Sequence, residues 1–382
     1  MLQRWTKTVA LLAMMAALFT ACRKSEFSPD DPLPETFGPL VFTTSQNNFL
    51  YALDPNTGVK RWELKLPRQG MQGASPVVIG DYLYLAMDSL YKVDAKRGKM
   101  LKVYGFNHAA FDSFYCTPVV DGNKLYLGSY RDTVYAFDVS NESIVWKKEV
   151  IGNVFASPVL FQDNIYVATG QGQIHKLDKN SGTQIWVKSV GGDGYLASPT
   201  VGRSVNGTIQ LYAGCMDGTM YVVNTTTGDI QWQYDTKGPI ASSPIAYGGN
   251  IIFGSYDYHV YCIDTIGKKE RWKFKTGDRV LSSPFGDNNV IYVGSYDYHM
   301  YALNIIDGTE RWKYKSNALI KASPLVNNGT VYFGSFDKNL YGVDTSGKLK
   351  WLHNTNGLIE SSPVVWDLSK GYYPSTSGNS VF

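Results

Sequence analysis

Two short runs of the 382-residue chain concentrate the side chains that do chemistry: Gly254-Ser255-Tyr256-Asp257-Tyr258-His259 and its copy Gly294-Ser295-Tyr296-Asp297-Tyr298-His299. Gly334-Ser335-Phe336-Asp337 and Gly128-Ser129-Tyr130-Arg131 are relatives. A carboxylate two residues from an imidazole suggests acid–base or metal chemistry, but structural zinc needs four converging Cys or His ligands, and none cluster here. Phenol rings with polar tips suit recognition of protein or sugar better, since they offer a broad contact area at low entropic cost. Tyr256, Asp257, Tyr258 and His259, with Tyr296, Asp297, Tyr298 and His299, are therefore the candidate binding face. The chain has no Gly-x-Ser-x-Gly elbow, His-Glu-x-x-His, Cys-x-x-Cys or phosphate loop. With only five histidines, no acid–base constellation stands out, and neither a catalytic residue nor a metal or cofactor site is assigned.

Another chemically distinct residue is Cys22. Met1 to Ala21 begins with Arg4 and Lys7 and continues as an apolar run from Val9 to Phe19, too short to span a bilayer, which takes about 20 apolar residues. Its layout is that of a secretory signal. Leu18-Phe19-Thr20-Ala21-Cys22 resembles the lipobox of bacterial lipoproteins, with Phe19 in place of the usual Leu; the resemblance implies acylation of Cys22 and a membrane anchor. Arg23 to Pro39 holds four prolines among polar residues, a semi-rigid tether. About 16 residues at about 3.1 Å each reach on the order of 50 Å. By resemblance to lipoprotein sorting, Arg23, which is not Asp, favours the outer membrane. The formal charge of +3 falls to +1 once Arg4 and Lys7 are removed (3 − 2), leaving no basic footprint for nucleic acid.

The elements that must position these residues follow from an internal repeat. A Ser-Pro or Thr-Pro pair recurs with its proline at 76, 118, 158, 199, 244, 284, 324 and 363, at a mean spacing of 41 residues (287/7). Between pairs come a strand-sized run ending in Gly-Ser, a run of the Tyr-Ala-Leu-Asp type, and a run carrying Trp. Four short strands per repeat of about 41 residues is the pattern of a β-propeller blade. With strands lettered A to D in chain order, the repeat predicts an all-β, single eight-bladed propeller of four-stranded blades. Residues 39 to 66 supply strands B to D of the closing blade, and Ser362 to Trp366 supply strand A. Gly371 to Phe382 reads as a further degraded strand competing with residues 39 to 53 for the same place. The tryptophans 62, 146, 186, 232, 272, 312 and 351 are expected to pack between blades; the repeat without one has Leu101 or Tyr104 in that region. The organisation is then a signal peptide (1–21), an acylated Cys with a Pro-rich tether (22–38) and a propeller (39–382).

Ala52-Leu53-Asp54-Pro55-Asn56-Thr57-Gly58 to Trp62, and again Asp178 through Ser181-Gly182 to Trp186, resemble the repeats of the pyrroloquinoline-quinone-like propeller family. In plan (signal, acylated Cys, tether, one propeller, no chemistry) the chain resembles the outer-membrane assembly lipoproteins of that family. That resemblance implies a non-catalytic scaffold for envelope protein partners. A glycan-binding lipoprotein and a quinoprotein dehydrogenase are the alternatives. Quinoprotein dehydrogenases carry an adjacent cysteine pair, calcium ligands and a catalytic Asp; here Cys116, Cys215 and Cys262 are scattered, and no candidate for the calcium ligands or that Asp stands out beyond what the repeat pattern explains. Buried single thiols are expected, with a Cys215–Cys262 bridge as the one alternative.

Overall fold

Each repeat folds as expected because its apolar runs are strand-length and end in residues that tolerate tight turns. The computed structural model describes residues 38–67, 74–106, 113–190, 195, 197–204 and 206–367, with the backbone of 371–373. The signal, the lipobox with Cys22, and nearly all of the tether lie outside the described residues.

Blade 1 consists of strands Val77–Ile79, Tyr82–Ala86, Leu90–Asp94 and Met100–Tyr104, paired antiparallel in the order A-B-C-D. Blades 2 to 7 repeat the plan over residues 119–149, 159–189, 200–235, 245–275, 285–315 and 325–354. The eighth blade takes strand A from Val364–Asp367 and strands B, C and D from Leu40–Ser45, Phe49–Leu53 and Lys60–Lys65, with Leu40 opposite Trp366. The competition expected at the C-terminus does not arise. Gly371–Tyr373 pairs with the other edge of Val364–Asp367 as a fifth strand, leaving the B position to the N-terminal segment. Residues 374–382 lie outside the described residues.

The apolar core lies in layers between blades. Ile252, Val260, Cys262 and Trp272 of blade 5, for example, pack with Ile291, Val293, Tyr301 and Leu303 of blade 6. Every D-strand tryptophan leans on the next blade. The indole Nε1–H of Trp272 donates to Ile305 O at 2.8 Å, and that of Trp351 to Pro55 O at 2.9 Å. The indole ring sits over the glycine of the neighbouring Asp-x-x-Thr-Gly turn. At Gly58 the backbone is left-handed (φ 69°), and a Cβ there would lie 2.5 Å from Trp351 Cε3, so glycine is required twice over. Asp54 fixes the same turn, its Oδ1 accepting the Asn56 and Thr57 amides at 3.0 and 3.1 Å.

Two junctions depart from this pattern. In blade 1 the register places Lys102, and neither Leu101 nor Tyr104, where the other blades have tryptophan. The next turn answers with Glu142 (φ 53°) in the glycine position, and Lys102, Lys92 and Tyr104 all converge on its carboxylate. An ion cluster thus replaces the indole–glycine contact. At the junction of blades 4 and 5, Lys268 (φ 52°) stands in the glycine position, and the buried Nε1 of Trp232 finds no acceptor.

The Ser-Pro pairs form an inner collar. The backbone N–H of Ser75 donates to Thr117 Oγ1 at 3.0 Å, that of Thr117 to Ser157 Oγ at 3.0 Å and that of Ser157 to Ser198 Oγ at 2.8 Å. The same bond recurs from Ser243 through Ser283, Ser323 and Ser362 back to Ser75 at 3.0–3.1 Å. Between blades 4 and 5 Thr200 Oγ1 donates instead to Pro244 O at 2.7 Å.

Candidate functional site

The B–C turns and D–A connections come together on one face, as expected of adjacent blades, and the tyrosine-rich turns of blades 5 and 6 lie side by side there. Arg279 links them: its guanidinium carbon lies 5.5 Å from the Tyr256 ring centre and 5.0 Å from that of Tyr296. Such cation–π contacts are worth about 0.5–1 kcal/mol at exposed sites. Burial, with Tyr256 alongside, pushes the Tyr296 hydroxyl up to about 12. Tyr258 and Tyr298 are well exposed and hold left-handed backbones (φ 71° and 76°), where blades 3 and 4 place Gly172 and Gly218. A bulky residue in that region costs about 1–2 kcal/mol. The cost is absorbed by pinning the carbonyls: Thr276 N–H and Oγ1–H donate to Tyr258 O at 2.8 and 2.9 Å, and Ser316 bonds Tyr298 O in the same way.

The acidic members of the candidate face are engaged within the protein. The Asp257 side chain is only 8% exposed; it accepts Tyr261 O–H at 2.6 Å and the Lys237 amide at 3.0 Å. Asp297 likewise takes Tyr301 O–H and the Gly277 amide, both at 2.6 Å. Each carboxylate clips its B–C turn to the D–A connection that enters the same blade. Burial, then the hydrogen bond to the carboxylate, drives the Tyr261 and Tyr301 hydroxyls far above their ordinary value. His259 and His299 place Nδ1 at 2.8 and 2.9 Å from the carbonyl oxygens of Asp257 and Asp297, so Nδ1 carries the proton in a turn-closing bond. Of the eight candidates, Tyr258 and Tyr298 stand exposed, Tyr256 and Tyr296 are half-buried against Arg279, and the Asp and His pairs hold the turns.

Sequence reasoning missed the axial mouth on this same face, a cavity of about 590 Å³. Its floor is the hydroxyl collar. Its wall is the residue three before the proline in six of the blades, which the fold keeps at one radius but not one chemistry. That position holds Tyr115 and Phe155 in blades 2 and 3, Ala241 and Leu281 in blades 5 and 6, and Lys321 and Glu360 in blades 7 and 8. Tyr130 and Tyr195 extend the aromatic side, their rings 5.3 and 5.2 Å from that of Phe155. On the ionic side Lys321 Nζ lies 3.2 Å from Glu360 Oε2, whose other oxygen accepts Gln46 Nε2–H at 2.9 Å. The signal was present in the sequence as variation at a fixed offset from a recurring proline.

Cys116, Cys215 and Cys262 are free and buried, and the Cys215–Cys262 bridge does not form: Cys215 packs in the layer between blades 3 and 4, Cys262 in that between blades 5 and 6. Among the described residues no three His, Cys, Asp or Glu side chains gather as a cation site.

The family model described as outer membrane protein assembly factor BamB matches residues 107–245 and 217–367, well over half of the chain. The chain belongs to the BamB family of propellers. BamB from Moraxella catarrhalis superposes with a TM-score of 0.64 at 17% identity, covering 79% of this chain and 95% of that one. A europium-containing methanol dehydrogenase (TM-score 0.65, 15% identity, 83% of each chain) and a quinohemoprotein alcohol dehydrogenase from Pseudomonas putida (0.68, 13%, 80% of this chain and 69% of that one) share the fold as well. No curated protein sequence matches. These identities establish the propeller and nothing finer. The dehydrogenase neighbours raise the question of a quinone. Pyrroloquinoline quinone is a tricarboxylate, and the mouth opposes it with one lysine that Glu360 already neutralises. The described residues of the mouth do not fit it.

Proposed function

We propose that this BamB-family chain is a non-catalytic scaffold, held to the outer membrane through an acylated Cys22, that docks protein partners of the cell envelope during outer-membrane protein assembly. The family match over residues 107–367 carries the reading. Two further observations support it. Tyr258 and Tyr298 stand exposed on strained, pinned turns of adjacent blades, a rigid pair of aromatic anchors of the sort that dominates binding at protein interfaces. The near-neutral net charge suits a protein-facing rather than a nucleic-acid-facing surface. The tether would let that face stand clear of the lipid.

The test is affinity capture of the tagged, full-length lipoprotein from a Gram-negative host after mild detergent extraction. Co-purification of the β-barrel assembly machinery is expected, with loss in Tyr258→Ala/Tyr298→Ala and a shift to the soluble fraction in Cys22→Ser. Capture unaffected by the tyrosine pair would remove the docking face; alcohol oxidation on adding pyrroloquinoline quinone and Ca²⁺ would remove the scaffold.

A further inference from the structure

The eight-fold repeat supplies its own control for what the propeller requires. At the position three residues before the proline, Ala241 suffices for blade 5, so neither Tyr115 nor Phe155 is there to build the ring. Both rings are only half-buried, and Tyr130 beside them is 40% exposed. The three rings meet at 5.3–5.7 Å, edge-on or tilted, as a preformed wall.

The collar below adds a second, independent observation. Ser75, Thr117, Ser157, Ser198, Ser323 and Ser362 line the mouth, and each hydroxyl oxygen already accepts a backbone N–H from the neighbouring blade. Their own O–H hydrogens have no protein acceptor among the described residues. A hydroxyl both donates and accepts, so six hydroxyls with a free donor line a cavity of about 590 Å³. That volume lies within the roughly 300–1,000 Å³ of small-molecule sites. Among the described residues the only charged groups lining it, Lys321 and Glu360, neutralise each other, which disfavours a phosphate or carboxylate and leaves Glu360 as an acceptor at the far wall.

We propose that the axial mouth is a saccharide site for a neutral pyranose unit. The aromatic wall of Tyr115, Tyr130 and Phe155 stacks on its C–H face, the hydroxyl collar donates to its oxygens, and Glu360 accepts from one of its hydroxyls. Neutral polyols are the ligand class that pairs an apolar ring face with many acceptors and no net charge. An aromatic peptide side chain would use the wall and leave the collar unanswered. The site is separate from Tyr258 and Tyr298 and does not rest on the docking reading.

The experiment is saturation-transfer NMR on the detergent-solubilised full-length lipoprotein. The probes are maltose, cellobiose, lactose, mannobiose and chitobiose, with the tripeptide Gly-Phe-Gly as the competing class. Saturable binding of at least one disaccharide is expected, weakened about tenfold or more, 1.4 kcal/mol, in Phe155→Ala and Tyr115→Ala and unchanged in Tyr258→Ala. Should either alanine variant fail to fold, Tyr130→Ala, at an exposed position, reads the same wall. Binding of none of the five disaccharides, binding of Gly-Phe-Gly alone, or undiminished binding in the wall variants overturns the proposal.

Discussion

Trp272 and Trp232 occupy the same register position one blade apart, and they differ in the turn each faces, Gly308 against Lys268, and in one hydrogen bond. Trp272 Nε1–H meets Ile305 O at 2.8 Å; the Nε1–H of Trp232 is buried against the Lys268 turn with no acceptor. Replacing each by phenylalanine removes the same indole volume and leaves a ring of similar character, so the packing losses largely cancel in the difference. What remains is the polar part. At Trp272 the change forfeits a net contribution of about 0.5–1.5 kcal/mol. At Trp232 it removes a buried, unanswered donor, whose desolvation costs about 1–3 kcal/mol. Trp272→Phe should therefore cost about 1.5–4.5 kcal/mol more stability than Trp232→Phe. Urea denaturation followed by far-UV circular dichroism measures this without relying on the tryptophan signal that the substitutions alter. Equal losses at the two sites, or a larger loss at Trp232, would refute the account of the junctions.

Three further outcomes are expected. Lys102→Trp alone should destabilise the protein, since the Cβ of Glu142 stands where other turns leave glycine open to the indole, whereas Lys102→Trp with Glu142→Gly should restore or raise the denaturation midpoint. His175, buried with Nε2 unpartnered, has its pKa lowered by desolvation; a buried neutral imidazole stabilises the fold above its unfolded value near 6.5, and that contribution is lost as pH falls through it. The denaturation midpoint should thus drop between about pH 7 and pH 5, and His175→Phe should flatten this limb. Burial pushes the thiols of Cys116 and Cys215 up to about 11 and that of Cys262 to about 12, so a thiol reagent should label none of the three in native protein at pH 8 and all three in denaturant.

The ring itself was legible because its signals are local and repeated: proline spacing, the Asp-x-x-Thr-Gly turn and a D-strand tryptophan in seven blades each state the same period. Exceptions were harder to read. Lys102 and Glu142 lie 40 residues apart, and only the C–D register shows that one replaces an indole and the other its glycine. The tyrosine turns were found by type, but sequence could not divide them: Asp257 and Asp297 turn inward because their blades' own D–A amides and C-strand tyrosines claim them. The mouth escaped notice because it is built from one residue per blade, each unremarkable in its own repeat.

The eighth blade gives the molecule a completion signal. Its strand A follows some 300 residues behind its strands B, C and D, so a chain emerging N-terminus first carries an open arc until Val364–Asp367 arrives. Through that interval Leu40–Ser45 presents an unpaired edge, the kind of surface that templates misassembly or recruits a chaperone. Ring closure therefore requires the full-length chain. A chain cut short before Val364 would be marked by its open edge, whatever the state of the seven blades already made.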